Sequence, residues 1–162
     1  MQAMIDPESR VRDAHHDALR LWLRLFTCSR LIEREIRVRL RREFKTTLAR
    51  FDLMAQLERN PDGLKMGELS QRLMVTGGDI TGVTDQLVRE RLVKRQPISG
   101  DRRAFAVQLT VKGKRAFDAM AAAHEQWVID LLADLTAAER RSLYALLGRA
   151  KAALQFFHEN DR

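Results

Sequence analysis

The chain has 162 residues, 45% of them apolar, which is enough for one folded domain and excludes global disorder. Its 29 Lys and Arg against 22 Asp and Glu give a formal charge of +7, a balance that favours an anionic partner. No apolar run approaches the ~18 residues of a membrane span, the first residues lack a signal-peptide core, and Cys28 alone excludes an internal disulfide framework. A cytoplasmic location is expected.

Pro7 lies in a polar leader, and residues 1–12 are expected to form an arm. From Asp13 to Phe44 there is neither Gly nor Pro. Ala18, Trp22, Leu25, Ser29, Ile32 and Ile36 recur there at alternating steps of four and three, one apolar helical stripe. A helix of roughly 30 residues must pack against another chain or against distant helices. Thr46 or Thr47 is placed to cap a second helix, TLARFDLMAQLER, which stops at 60-NPDG-63. A short helix, MGELSQRLM, the turn VTGG and a further helix, DITGVTDQLVRER, come next. LVKRQ and AFAVQLT, joined by PISGDRR, predict a β-hairpin. Thr110 opens a helix with Phe117, Met120, His124, Trp127, Leu131 and Leu135 on one side. Thr136 and Glu139 have capping-box spacing. The helix they start carries Leu143, Leu146, Leu147, Ala150, Leu154 and Phe157 on its apolar face.

This order is that of a winged helix-turn-helix, mainly α with a small β-hairpin wing. The second helix of such a pair lies in the major groove, its N-terminal residues at base edges. Thr76 is placed to cap it, and the N–H groups of its first turn can meet a phosphate. Ile80, Val83, Leu87 and Val88 are expected to face the core. Gly77, Gly78, Asp79, Thr81, Gly82, Asp85 and Gln86 are expected to face outward. Gln86 can read adenine, Asp79 can accept from cytosine, and the Thr81 methyl can touch thymine. Gly78 and Gly82 leave the outer face bare at about 1 kcal/mol each against Ala, which is tolerable where DNA comes close to the backbone. Periodicity alone fits a plain helical pair in a small bundle equally well.

The motifs separate the two. In 68-ELSQRLMVTGGDITGVTDQLVRERLVKR-95 followed by 101-DRRAFAVQLTVKGKRAF-117 the chain resembles the MarR family of bacterial transcription regulators, and the resemblance runs from about Leu19 onward. The family's wing pattern is Asp-Arg-Arg, a strand, then Leu-Thr-x-x-Gly. Asp101, Arg102, Arg103, Leu109, Thr110 and Gly113 stand in those places. The resemblance implies a wing tip in the minor groove, where one of Arg102 and Arg103 reads groove shape and potential. The other would brace the wing through Asp101 or bind phosphate, and Arg95 is counted with them as a DNA contact. It also implies a homodimer on double-stranded, pseudo-palindromic operator DNA. Residues 13–44 and 110–162 would form the helical dimerisation region, with 13–44 and 137–158 as its base. Residues 45–109 would form the DNA-binding lobe. The chain departs from the family in its recognition helix, which has two acids and no base from Thr76 to Val88, and in Arg91, where a glycine usually ends that helix. Few base contacts, with more weight on wing and groove shape, are therefore expected.

Residues 89–103 hold six bases and two acids, as a wing on phosphates needs. Residues 20–42 hold eight arginines and two glutamates. Arg30, Arg34, Arg37 and Arg41 share one helical face, where like charges repel; Glu33 with Arg37 and Glu35 with Arg39 offset part of this. Phe26 lies beside the stripe and Trp22 beside Phe26. Such a stripe suits an anion with an apolar tail. The plain alternative is a solvated basic face, or arginines paired with acids of a second subunit. By 46-TTLARFDLMAQLERNPDGLKMGELSQRLMVTGG-78 the chain is also similar to the branch that senses aromatic acids or their CoA thioesters. That implies a repressor released by an aromatic carboxylate or aromatic acyl-CoA.

No cofactor or metal is expected, since His15, His16, His124 and His158 form no compact ligand set. Cys28, near Arg24 and Arg30 in sequence, is a candidate peroxide-sensing thiol; a buried or half-buried small residue is the plainer reading. No Gly-rich phosphate loop, nucleophile elbow or paired carboxylates mark an enzyme. A protein-interaction module on the same fold is the other class, and it would tolerate loss of Arg102 and Arg103.

Overall fold

The computed structural model of the chain describes residues 16–73, 77–98 and 101–160, with backbone only at 77, 101–104 and 156–160. The expected arm and the Thr76 cap lie outside the described residues. The chain forms two compact units, residues 1–125 and 126–162.

Helix α1 spans Asp17–Phe44 and ends on Lys45, whose φ of 54° is left-handed and whose N–H returns to the Leu40 carbonyl. Only Ile36 and Leu40 of α1 are buried. Burial is thus confined to the end that meets α2 (Leu48–Glu58). Cys28 is exposed, contrary to the half-buried reading, because it lies well before that end.

Thr47 caps α2, its Oγ1 accepting from the Arg50 N–H at 3.3 Å. Asn60 donates to the Gln56 carbonyl at 2.7 Å and closes the helix. Gly63 then turns the chain at φ 91°, where a side chain would strike Gln108 and the Val107 carbonyl. A two-residue strand, β1 (Leu64–Lys65), follows, and α3 spans Met66–Leu73. Helix α4 spans Gly77–Arg89. It takes in both glycines of the VTGG segment and begins at the residue after Thr76, where a cap at that position is expected to start it. Arg91 ends it at φ 61°, so an arginine occupies the left-handed position where glycine is usual.

Strands β2 (Val93–Ile98) and β3 (Asp101–Leu109) pair antiparallel from Val93↔Leu109 to Pro97↔Phe105. The register then shifts, and Ile98 faces Asp101. The wing strands are therefore longer than the sequence implied, and Asp101, Arg102 and Arg103 open a strand instead of ending a loop. β1 joins the far edge of β3, giving the order β1-β3-β2.

Thr110 caps α5 (Val111–Leu131), its Oγ1 accepting from the Gly113 N–H at 2.9 Å. In the first unit Leu40, Leu53, Met54, Leu57, Leu69, Leu87 and Val107 are fully buried. Each such side chain contributes about 1.5–3 kcal/mol. Phe51 stacks on Phe117 at 5.5 Å and meets the tilted ring of His124 at 4.9 Å between ring centroids, fixing α2 to α5.

In the second unit Thr136 and Glu139 form the expected capping box: the Thr136 N–H donates to the Glu139 carboxylate at 2.7 Å, and the Glu139 N–H to Thr136 Oγ1 at 3.2 Å. Helix α6 runs Ala137–Asn160. Its Leu143, Leu146, Leu147 and Leu154 are all exposed. The Phe157 side chain lies outside the described residues. The architecture is mainly α with a small antiparallel sheet, as expected.

Candidate nucleic-acid interface

Helix α4 turns Ile80 and Leu87 into the core, with Val83 and Val88 half-buried. Thr84, which hydropathy alone assigns to no face, is fully buried, and its hydroxyl has no partner among the described residues. Gly78, Asp79, Thr81, Gly82 and Gln86 are exposed on the opposite side. A β-carbon at Gly78 or Gly82 would meet nothing within 4 Å, so this face is open. Gly77 lies in the first turn of α4.

The wing stands beside this face, tied to it by an ion pair. The Arg95 guanidinium of β2 donates to the Asp85 carboxylate of α4. Both side chains remain about two-fifths exposed, at 40% and 42%. The sequence counted Arg95 among the DNA contacts and Asp85 among the outward residues; the structure joins them. Arg102 and Arg103 sit at the start of β3; their side chains, and that of Asp101, lie outside the described residues.

The residue just after the C-terminus of α4 is held by Arg50 of α2, whose Nη1 donates to Glu90 Oε1 at 2.8 Å and whose Nη2 donates to Oε2. The hydrogen bond from Arg50, and then its charge, hold the Glu90 carboxyl below its ordinary value of 4.5. Nothing periodic marks this pair in the sequence, because its partners lie 40 positions apart.

On α1, Arg37 pairs with Glu33, and Arg39 with Glu35 at 2.8 Å, as expected. Arg30 also reaches Glu33, at 3.6 Å. Arg34 and Arg41 make no ion pair among the described residues. Two adjoining depressions follow the stripe. One, about 280 Å³, is lined by Arg34, Arg37, Arg41 and Thr47; the other, about 450 Å³, by Arg30, Leu31, Arg34 and Arg37. Trp22 and Phe26 stack on each other at 5.8 Å and lie outside both linings.

Arg37 also borders a cleft of about 240 Å³ that reaches Asp52 of α2 and Asp79 and Ile80 of α4. Burial pushes the Asp52 carboxyl above its ordinary 3.8, against the opposing pull of Arg37. Asp52 carried no sequence signal, since one acid in an otherwise apolar turn reads as a solvated position. Among the described residues no group of His, Cys, Asp and Glu is placed to hold a metal ion, and no helix is long and apolar enough to cross a membrane.

Residues 44–104, from the end of α1 into β3, match the model of the MarR family. The chain is 30% identical over 114 residues to the HTH-type transcriptional regulator PecS of Dickeya dadantii (strain 3937), covering 69% of each protein. It is 26% identical over 107 residues to the HTH-type transcriptional repressor YetL of Bacillus subtilis (strain 168), covering 66% of this chain and 64% of that one. Its fold is similar to that of a MarR mutant from E. coli complexed with operator DNA, with a TM-score of 0.72, 24% identity, and 86% of this chain and 99% of that one covered. The chain belongs to the MarR family of winged helix-turn-helix proteins, DNA-binding transcriptional regulators that are not enzymes.

Proposed function

We propose that the protein is a cytoplasmic homodimeric repressor that holds a pseudo-palindromic operator on double-stranded DNA and releases it when a small anion binds. The observation that carries the DNA contact is the bare outer face of α4 beside a wing rich in bases. Thr76, Gly77, Gly78, Asp79, Thr81, Gly82 and Gln86 lie along the major groove in this reading. Arg102 or Arg103 enters the minor groove, where shape and negative potential attract a guanidinium. The operator complex of the E. coli MarR mutant and the repressor name of the Bacillus relative support it.

Residues 45–109 are the DNA-binding lobe, and 13–44 with 110–162 form the dimerisation region behind an arm at 1–12. Two lobes reach successive major grooves about 34 Å apart. The released state is favoured only by the part of the ligand's affinity that differs between the two lobe spacings. An aromatic carboxylate or aromatic acyl-CoA suits the α1 stripe. Arg34 and Arg41 would take its anionic groups, beside Arg30 and Arg37, with Trp22 and Phe26 against its apolar part.

The test is selection of source-genome DNA fragments at near-physiological salt, by the wild type and by the Arg102→Ala/Arg103→Ala variant in parallel. A few intergenic sites bound by the wild type and lost by the variant are expected. No enrichment by either protein would favour an interaction module on the same fold. A second reading rests on the exposure of Cys28. If peroxide is the signal, Cys28→Ser stays on its operator when peroxide is added.

A further inference from the structure

Glu90, Arg91 and Leu92 link the recognition helix, which ends at Arg89, to the first wing strand, which starts at Val93. Their N–H groups all turn back to the helix. Glu90 donates to the Gln86 carbonyl at 3.1 Å, Arg91 to that of Val88 at 2.9 Å and Leu92 to that of Leu87 at 2.9 Å. Their carbonyls all accept from the start of α5. Lys112 Nζ donates to the Glu90 carbonyl at 2.9 Å, Thr110 Oγ1 to the Arg91 carbonyl at 2.7 Å, and the Thr110 N–H to the Leu92 carbonyl at 3.0 Å.

Arg91 stands in the middle of the link at φ 61°. The left-handed region disfavours any residue with a β-carbon, and such a residue persists where its surroundings over-determine it. The φ and ψ of Arg91 are the two rotations between the peptide unit of the Glu90 carbonyl and that of the Arg91 carbonyl. α5 holds both units, so it sets both rotations, and these decide the direction in which the chain leaves α4 for β2. Thr110 has a second task, since its Oγ1 also accepts from the Gly113 N–H at 2.9 Å. Lys112 is exposed, and its hydrogen bond among the described residues is the one to the link. An ammonium there also suits the negative end of the α4 dipole.

We propose that Lys112 is a positioning residue for DNA recognition. Its bond to the Glu90 carbonyl fixes the angle between α4 and the wing, so that the helix and the wing tip reach their grooves together. The Asp85–Arg95 pair ties the same two elements through side chains, whereas Lys112 acts on the backbone that joins them. The proposal rests on the reading of α4 and the wing as DNA contacts and deepens it.

The test compares full-length wild type, Lys112→Met, which keeps the aliphatic stem and loses the donor, and Lys112→Arg, which keeps a donor and the charge. Lys112→Met should retain the wild-type circular dichroism and urea midpoint, because the position is exposed. Without DNA, its Arg91 and Leu92 amides should exchange hydrogen about two- to ten-fold faster, the worth of one hydrogen bond. On an operator recovered from the genomic selection it should lose affinity by a similar factor. Its affinity for unrelated DNA and its salt slope should stay at the wild-type values, and Lys112→Arg should match the wild type throughout. Combined with Arg102→Ala/Arg103→Ala, the losses should fall short of their product by about two-fold or more, because a misdirected wing has less to lose. Wild-type amide exchange in Lys112→Met overturns the proposal, as do losses that simply multiply. A salt slope flattened by about 0.9 also overturns it, since Lys112 would then be a phosphate contact. If the wild type selects no DNA at all, the reading of the DNA contacts fails separately, and amide exchange still decides whether Lys112 holds the link.

Discussion

A β-carbon on Gly113 would stand 1.8 Å from the carbonyl oxygen of Leu92. The same carbonyl accepts from the Thr110 N–H at 3.0 Å and from Thr110 Oγ1 at 3.2 Å. The first turn of α5 is therefore locked onto the residue that leads into β2, and the contact tolerates no side chain. Gly113→Ala should destabilise the protein by about 3 kcal/mol, at the upper end of overpacking costs, because backbone and not a movable side chain is in the way. Urea unfolding should show a lower midpoint with an unchanged slope. A wild-type midpoint would mean that α5 can shift away from Leu92 without loss.

The Asp85–Arg95 pair joins the recognition helix to the wing, yet both groups are half in water. Its own contribution to folding is therefore small, about 0.2–1 kcal/mol. Its consequence is for DNA. A carboxylate on the DNA-facing side repels phosphate, and its partner is the arginine nearest to it. Asp85→Asn should raise affinity for any DNA sequence and steepen the salt dependence. Arg95→Ala should lower affinity. If Arg95 serves the pair and not a phosphate, the salt slope of Arg95→Ala should stay at the wild-type value, whereas a lost phosphate contact flattens it by about 0.9. Titrations at several salt concentrations with the two single variants and the double variant separate these cases.

What the sequence made legible follows from what is local or periodic. The capping box at Thr136 and Glu139 and the Thr47 cap need only neighbouring residues, and both form. The long helix α1 announces itself through a run without Gly or Pro, and α5 and α6 through their apolar periodicity. β1 escaped because two residues carry no period. The glycines at 77 and 78 fit both a turn and a helix start, because glycine is a poor helix former, and they are helical. Thr84 escaped because a hydroxyl on a helix carries no burial signal. The Arg50–Glu90 and Asp85–Arg95 pairs join separate elements, and only the fold brings them together. Cys28 read as half-buried because it lies beside the apolar stripe of α1, and it is exposed because that stripe is uncovered along most of its length.

His124 packs on Phe51 at 4.9 Å, and burial holds its imidazole below the ordinary value of 6.5. In the unfolded chain the ring takes its proton near 6.5, while the folded ring stays neutral to lower pH. The unfolded state thus binds more protons just below 6.5, and stability falls as the pH drops through that window. Above it the effect is absent. His124→Leu keeps an apolar group on Phe51 and removes the titration. Its stability should change less than that of the wild type between about pH 7.5 and about pH 5.5. An NMR titration of His124 with a midpoint at or above 6.5 would contradict the assignment.

Among the described residues the apolar face of α6 is left uncovered by the chain itself. Tyr144 is 83% exposed, Leu154 62% and Leu146 59%, and on α1 Leu21, Trp22 and Phe26 are each more than half exposed. Contiguous apolar surface of this kind marks a docking face, and in the proposed homodimer its occupant is a second copy of the chain. Leu146→Glu and Leu154→Glu, made together, replace side chains that are 59% and 62% exposed. In the single chain they act as surface substitutions, worth within about 0.5 kcal/mol, so helix content by circular dichroism should not change. In a dimer they would place carboxylates in an apolar interface without partners, which costs several kcal/mol. Sedimentation should therefore find the wild type as a dimer at micromolar concentration and the variant as a monomer, and the monomer should lose operator binding because it meets only one half-site. A variant that remains a dimer would place the contact elsewhere, and the exposed stripe of α1 would then be the surface to alter, beginning with Leu21 and Trp22.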